Sequence, residues 1–241
     1  MRAPLIVILG KTVADTWARA VIEVWGKGLE VPTEYDEAAK EATLLMTVEE
    51  PFTEPRMHVG DLIAVTGIRR YTEEVLDGTL DEYVRMGKLS YTYHERLHTY
   101  PVEGGTMDQI AYILRKLREA PYTRRAQAIT WRPGRDPGLD APPCLQRLWF
   151  KVYDGVLILQ SSWRSRDLFQ AAQSNILALT QLQKHVADEL GFKVGAYTDF
   201  SNSAHIYEKS YAQVERFLAT LKKRKGEELL YADPSIRCIT C

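Results

Sequence analysis

Residues 142–167 read PPCLQRLWFKVYDGVLILQSSWRSRD, and Asp154-Gly155 joins two apolar runs in this segment. Asp-Gly between apolar runs is a strong hairpin signal. The segment therefore predicts two strands that pair with each other, Leu148 to Tyr153 and Val156 to Trp163. A cysteine stands before the first strand, and two arginines follow the second.

The sequence on both sides of the hairpin carries apolar patterns typical of helices and strands. Ser174 to Leu190 has apolar residues at helical spacing and is ended by Gly191. The other predicted elements are a buried strand at 3–10, a helix that starts at Thr12, a strand at 42–48, a helix at 71–87, a helix that Thr106 caps and Pro121 ends, an alternating stretch at 126–131, a strand at 193–200 and a helix from about 207 to 224. Strands and helices that mix without strict alternation predict an α+β fold, built on one large, mainly mixed sheet with flanking helices.

Length and composition limit the possible classes of protein. A chain of 241 residues with 45% apolar composition can form one core, so residues 1–241 are expected to be a single domain. With 31 basic and 32 acidic side chains, no overall field favours nucleic acid or a membrane, and any anion site must be local. The apolar stretch at 3–10 is too short to span a bilayer. Three cysteines form no secreted disulfide framework, so a cytoplasmic enzyme is expected.

The chemically informative residues surround Cys144, which follows two prolines at the end of a polar loop. Arg124-Arg125 lie upstream, and Arg164 and Arg166 follow the hairpin. Several guanidiniums near one thiol would favour its thiolate and bind a phosphate. Simpler interpretations also exist: Cys144 as a small buried hydrophobe, the arginine pair as a solvated turn, Asn175 as a helix N-cap and His205 as a polar residue at a strand end.

Taken in order, these residues form a pattern that resembles one family. The pattern consists of Arg124-Arg125, Pro142-Pro143-Cys144, Arg164-Ser165-x-Asp167, Asn175 and His205-x-Tyr207. It resembles the folate-dependent, cysteine-nucleophile thymidylate synthases over roughly residues 106–210. The segment at 90–97, SYTYHERL, is similar to the compact archaeal branch of that family.

The resemblance implies an enzyme that converts dUMP to dTMP. Cys144 would add to carbon 6 of the pyrimidine and make carbon 5 nucleophilic. Arg164 and Ser165 would hold the 5′-phosphate. Arg124 and Arg125 would reach the phosphate of the neighbouring subunit, because the sheets of this family pack back to back in a homodimer.

The resemblance also implies contacts to the base, the sugar and the carbon donor. Asn175 would pair with the O4 and N3-H edge of uracil, whereas a carboxylate suits cytosine better. His205 and Tyr207 would bind the deoxyribose hydroxyl, and Asp167 would bind the pterin. The carbon and hydride donor is expected to be 5,10-methylenetetrahydrofolate or a methanopterin analogue, with no metal.

The chain departs from the family pattern at several positions. Leu145 follows the cysteine in place of a histidine, and Trp163 precedes the phosphate-binding arginine in place of a glutamine. The family's early catalytic glutamate, which organises proton transfer near O4, has no clear counterpart. The four candidates are Glu49, Glu50, Glu54 and Glu95. Cys238 and Cys241 in the tail are expected to be incidental rather than a redox pair or half a zinc site.

Two alternative functions remain open at the level of sequence. One is a pyrimidine nucleotide 5-hydroxymethylase, in which water replaces hydride after the same thiol addition. The other is a nucleotide- or RNA-binding protein that does no chemistry and uses the basic cluster at 222–225. Exchange of Cys144 for Ser separates catalysis from binding.

Overall fold

The computed structural model describes residues 4–58 and 65–223. The side chains of the basic cluster at 222–225, and Cys238 and Cys241, lie outside this part of the chain. The strands are β1 (Leu5–Gly10), β2 (Leu29–Pro32), β3 (Ala38–Val48), β4 (Tyr100–Val102), β5 (Gly105–Met107), β6 (Gln127–Ile129), β7 (Leu145–Tyr153), β8 (Val156–Trp163), β9 (Arg166–Asp167) and β10 (Lys193–Tyr207). The helices are α1 (Val13–Lys27), α2 (Val65–Asp77), α3 (Asp81–Arg85), α4 (Tyr93–His98), α5 (Gln109–Glu119), α6 (Ala172–Leu190) and α7 (Tyr211–Lys223).

One large mixed sheet organises the described part of the chain. Its order is β1-β3-β10-β8-β7-β6, with β2 added beside β3 and β9 beside β10. The pairs β1–β3 and β8–β10 are parallel, whereas β3–β10, β7–β8 and β6–β7 are antiparallel. The predicted α+β fold on a large mixed sheet with flanking helices is confirmed. The assignment of residues 1–241 to one catalytic domain stays a prediction.

The β7–β8 hairpin forms as its sequence predicts. Asp154 and Gly155 both have positive φ, 48° and 76°, which is the conformation of a two-residue turn that matches the twist of the strands. The pairing shifts by one residue between Leu145 and Arg147, so that Leu145 lies opposite Trp163. The open end of the hairpin therefore holds the residues just before β7 and just after β8.

The helices cover one face of the sheet. Helix α1 packs against β1 and β3, and α6 packs against β8 and β10 and contacts α1, α2 and α5. Trp17 of α1 is fully buried, and its indole N–H donates to the Leu168 carbonyl at 2.8 Å. Burial of such large apolar side chains is the main contribution to the stability of this core.

The opposite face of the sheet is open in the single chain. The first strand was expected to be buried, but only alternate residues of β1 are, and Leu5, Val7 and Leu9 are 65%, 56% and 62% exposed. By strand pairing, Leu45 of β3 and Phe200 of β10 lie on the same face. An edge strand with helices on one side buries only one of its two faces.

Several predicted boundaries are wrong for identifiable reasons. Thr106 lies in β5, and Asp108 caps α5 by accepting from the Ala111 N–H at 2.8 Å. The helix expected at 71–87 is divided into α2 and α3, with Gly78 at positive φ between them. The final helix begins at Tyr211 because β10 continues to Tyr207.

Candidate active site

The open end of the hairpin places Cys144 beside Arg164. The Arg164 backbone N–H donates to the Cys144 carbonyl at 3.0 Å. The guanidinium donates to the carbonyls of Pro143 and Pro142 at 3.0 and 2.8 Å, and its Nη2 lies 3.9 Å from the Cys144 Sγ. Two backbone carbonyls thus hold one cation against the half-buried thiol.

The environment of the Cys144 thiol contains opposing electrostatic effects. Burial raises the pKa of Cys144, whereas Arg164, Arg166 and a hydrogen bond with the Ser165 side chain act to lower it, and Asp167 acts to raise it. The net effect is a raised pKa. The guanidiniums act on the pKa of Cys144 in the expected direction, toward the thiolate. Their combined effect is smaller than that of desolvation, so the thiolate is not favoured overall.

Arg166 is an internal cation that the predicted site did not include. Its guanidinium forms an ion pair with the fully buried Asp199, donates to the Ala172 carbonyl at 3.0 Å and lies 3.9 Å from the centre of the Trp163 ring. Burial acts to lower the pKa of Arg166, but the Asp199 carboxylate outweighs burial and raises it. The variable position of the Arg-Ser-x-Asp pattern is therefore an arginine, Arg166, whose guanidinium stays protonated.

Asp167 and His205 face each other on neighbouring strands. The pairing of β9 with β10 puts His205 opposite Asp167. Burial raises the pKa of Asp167 and lowers the pKa of His205, so that both groups are shifted toward their neutral forms. The Asp167 carboxylate accepts the Gln170 N–H at 2.9 Å, which fixes its orientation. His205 lies near the end of a strand, as the simpler interpretation expected, but this strand is β10, which extends to Tyr207.

Tyr207 lies next to His205 on the same strand. The ring centres are 4.5 Å apart, and Lys209 Nζ lies 4.5 Å from the centre of the Tyr207 ring. Burial raises the pKa of Tyr207 to about 12, and the charges of Asp167 and Cys144 act in the same direction. The end of β10 thus holds His205 and Tyr207 together, and Tyr207 is close enough to Cys144 for the two charges to interact.

Asn175 does not cap its helix. The N-cap position of α6 is Ala171, and Asn175 lies one turn inside the helix. Its Nδ2 donates to the hydroxyl of Tyr71 on α2 at 2.7 Å. The simpler interpretation of Asn175 as a cap is wrong, because the amide makes a contact between two helices.

Three tyrosines of this region were not among the predicted site residues, and the charge of Cys144 acts on two of them, Tyr91 and Tyr93. They are Tyr71, Tyr91 and Tyr93. The Tyr93 hydroxyl accepts the Leu145 N–H at 3.2 Å, beside the cysteine. Burial raises the pKa of Tyr91 to about 12 and the pKa of Tyr93 well above its ordinary value, with the Cys144 charge adding to both. The similarity of residues 90–97 to the archaeal branch was the sequence signal that could have pointed to Tyr91 and Tyr93.

Arg124 and Arg125 stand apart from this cluster. Both are exposed just before β6, and neither guanidinium has an ion-pair partner among the described residues. The Trp149 indole on the open face of the sheet donates to the Arg124 carbonyl at 3.1 Å. The arginine pair therefore borders the open face.

The glutamate candidates differ in their surroundings. Glu49 and Glu50 are exposed, and Glu50 lies 3.6 Å from Lys11. Glu54 accepts the Arg56 N–H at 2.9 Å. Burial raises the pKa of Glu95, which pairs with Arg96 at 3.1 Å. The Glu95 Oε2 is a buried atom that accepts no hydrogen bond within the described residues, which distinguishes Glu95 from the other three candidates.

The described residues show neither a metal site nor a membrane span. In residues 4–58 and 65–223, no three His, Cys, Asp or Glu side chains are grouped in a way that could hold a metal ion. No helix in that part of the chain is long and apolar enough to cross a bilayer.

The fold and the site define an α+β protein with a half-buried thiol among arginines, tyrosines and a helix-borne amide. The sequence model of the thymidylate synthase family matches residues 10–234. A Methanocaldococcus jannaschii protein is 31% identical over 235 residues, covering 94% of this chain and 99% of the relative. Proteins of Methanosarcina mazei and Methanopyrus kandleri are 30% and 32% identical over 88% and 85% of this chain and 94% of each relative.

All three relatives carry the provisional name thymidylate synthase. The chain belongs to the thymidylate synthase family, in its archaeal-type branch. It is therefore an enzyme of nucleotide biosynthesis that transfers a one-carbon group, and the resemblance on which the sequence analysis depends is confirmed.

Proposed function

We propose that the enzyme converts dUMP to dTMP, with 5,10-methylenetetrahydrofolate as the donor of carbon and hydride and Cys144 as the nucleophile. The observation that carries the proposal is the contact between Arg164 and the Cys144 thiol, 3.9 Å from Nη2 to Sγ. This cation stands where it can hold a substrate phosphate and also favour the thiolate. Thiolate addition to carbon 6 divides one difficult step into two easier ones.

The positions of the remaining side chains support the proposed substrate contacts. Ser165, hydrogen-bonded to the thiol, joins Arg164 at the 5′-phosphate. Asn175 pairs with the O4 and N3-H edge of the uracil ring. His205 and Tyr207, packed together at the end of β10, bind the deoxyribose hydroxyl. A neutral imidazole can both donate and accept, which suits a hydroxyl partner.

Asp167 is the proposed contact for the pterin ring of the carbon donor. Asp167 lies opposite His205, and its charge acts on the Cys144 thiol, so this carboxyl group is near the thiol. A carboxyl group can accept a hydrogen bond from a ring N–H of a reduced folate or of a methanopterin analogue. No metal takes part in this scheme, and nucleic acid and membranes are not expected partners. A cytoplasmic location stays a prediction.

The active form is proposed to be a homodimer joined through the open face of the sheet. Exposed apolar residues on that face favour burial against a second copy, and Arg124 and Arg125 at its border would reach the partner's phosphate site. Light scattering should give twice the 27.5 kDa chain mass. Leu45→Lys on the open face should yield monomers, and Ile22→Lys on α1 should not. A wild-type monomer would contradict the proposal.

The catalytic proposal is tested by incubating the protein with dUMP and methylenetetrahydrofolate. Dihydrofolate is followed by absorbance, and the nucleotide product is identified by mass. Equal amounts of dihydrofolate and dTMP are expected, and Cys144→Ser should lose about 10⁴-fold in rate while it still binds dUMP.

Two results of this experiment would redirect the proposal. Hydroxymethyl-dUMP without dihydrofolate would indicate the hydroxymethylase reaction. Turnover with a methanopterin donor alone would change the cosubstrate but not the role of Cys144.

A further inference from the structure

Tyr71 and Asn175 form a partly buried polar contact between α2 and α6. Asn175 is 9% exposed, and its Nδ2 donates to the Tyr71 hydroxyl at 2.7 Å. Tyr71 packs against the hydrophobic core, and α2 and α6 pack against each other. A hydrogen bond that is partly shielded from water by the core restricts the rotation of the amide.

The contact leaves defined groups available for a ligand. An asparagine amide has two N–H protons and a carbonyl oxygen, and one proton is used by Tyr71. Within the described residues, Asn175 is the one hydrogen-bond partner found for the Tyr71 hydroxyl, so the phenolic proton is also available. The remaining amide N–H and carbonyl together match the O4 and N3-H edge of uracil.

The surroundings of Tyr71 keep its hydroxyl protonated. Burial raises its pKa above the ordinary value, with Glu74 and Tyr91 acting in the same direction and the Asn175 hydrogen bond and Arg166 acting against it. A neutral phenol is a hydrogen-bond donor and not a base. Of the four glutamate candidates, Glu49 and Glu50 are exposed, Glu54 accepts a backbone N–H, and Glu95 is paired with the cation of Arg96.

We infer that Tyr71 is a positioning residue for Asn175, holding the amide in the orientation that recognises uracil and stabilises charge at O4. This inference rests on the proposed function. Addition of the Cys144 thiolate to carbon 6 moves electron density toward O4, and a donor already oriented toward O4 stabilises that charge without reorganisation. In this inference, the polar group that supports the O4 end of the site is a partly buried phenol.

The first test compares Tyr71→Phe with the wild-type enzyme. Phenylalanine retains the ring and its packing and removes only the hydroxyl. The kcat for dTMP formation should fall about 10- to 100-fold, while the KM for dUMP changes less than about threefold, because the interaction is stronger in the transition state. Release of tritium from [5-³H]dUMP should fall together with dTMP formation. Tyr83→Phe, a change on α3 at a side chain 45% exposed, is the matched control.

A double-mutant cycle separates positioning from a general structural role. If Tyr71 acts through Asn175, then Tyr71→Phe should cost less than about threefold in tritium release when Asn175 is already alanine. An equal loss in both backgrounds would overturn the inference, as would a Tyr71→Phe enzyme with wild-type kcat. A folded wild-type protein without any turnover of dUMP would instead reject the proposed function, so the two failures are distinguishable.

Discussion

Two walls of the site differ in how the chain builds them. The hairpin wall consists of Cys144, Arg164 and Ser165, which meet because β7 and β8 pair through a two-residue turn. The helix wall consists of Tyr71 and Asn175, which are 104 residues apart in sequence and meet because α2 packs on α6. Local pairing thus assembles the nucleophile and its cation, and helix packing assembles the group that reads the base. Substitutions in the two walls should therefore have different effects on activity.

The largest effect is expected from a substitution in the helix wall, which should alter the base that the enzyme accepts. In Asn175→Asp, a carboxylate would face the O4 of uracil without a proton to donate, and kcat/KM for dUMP should fall about 10³-fold, whereas processing of dCMP should rise. The ratio of the two kcat/KM values is the measurement. An unchanged ratio would mean that Asn175 does not contact the base.

A change at the hairpin wall should weaken substrate binding without changing the choice of base. Arg164→Ala removes a charged partner of both the phosphate and the thiol, so kcat/KM for dUMP should fall about 100-fold, mostly through KM. The ratio of dUMP to dCMP should stay constant. Arg118→Ala, an exposed arginine on α5, is the matched control. A shift in base preference for Arg164→Ala would show that the two walls are not independent.

The pH dependence of Cys144 alkylation tests the electrostatic surroundings of the thiol in the hairpin wall. Burial raises the pKa of Cys144, and only the thiolate reacts with iodoacetamide. Alkylation of the Cys144 peptide, followed by mass, should therefore rise about tenfold per pH unit from pH 7 and show no plateau below about pH 8.5. Loss of the Arg164 cation should move the curve to higher pH. A plateau near pH 7 would mean that the arginines outweigh desolvation.

The smallest effect concerns the turn that aligns the hairpin wall. A Cβ added at Gly155 or at Gly26 meets nothing within 4 Å, but Gly155 has a φ of +76° whereas Gly26 lies within α1. Gly155→Ala should lower the free energy of unfolding by about 1 kcal/mol, and Gly26→Ala should raise it by about 0.5 kcal/mol. Urea unfolding of both variants is the measurement. Equal changes in the free energy of unfolding for the two variants would mean that backbone conformation at Gly155 is not the cause.

The outcome for individual elements shows where sequence patterns are informative. The hairpin was predicted well because a period of two and an Asp-Gly turn are both local signals. The strand predicted at 193–200 instead extends to Tyr207, since pairing with β3 and β9, rather than residue preference, sustains its second half. Thr106 was a plausible cap but pairs in β5, because the competing β4–β5 hairpin uses it. Boundaries that depend on partners elsewhere in the chain were therefore missed.

By itself, the sequence determined the hairpin, the mixed α+β architecture, the family and the placement of Arg164 beside Cys144. Those features depend on neighbouring residues or on an ordered pattern along the chain. Only the tertiary structure decided which partner Asn175 binds, that burial outweighs the arginines at the thiol, and that Arg166 is neutralised by Asp199. Desolvation and contacts between distant helices depend on how the whole core packs, and no local pattern of residues contains that information.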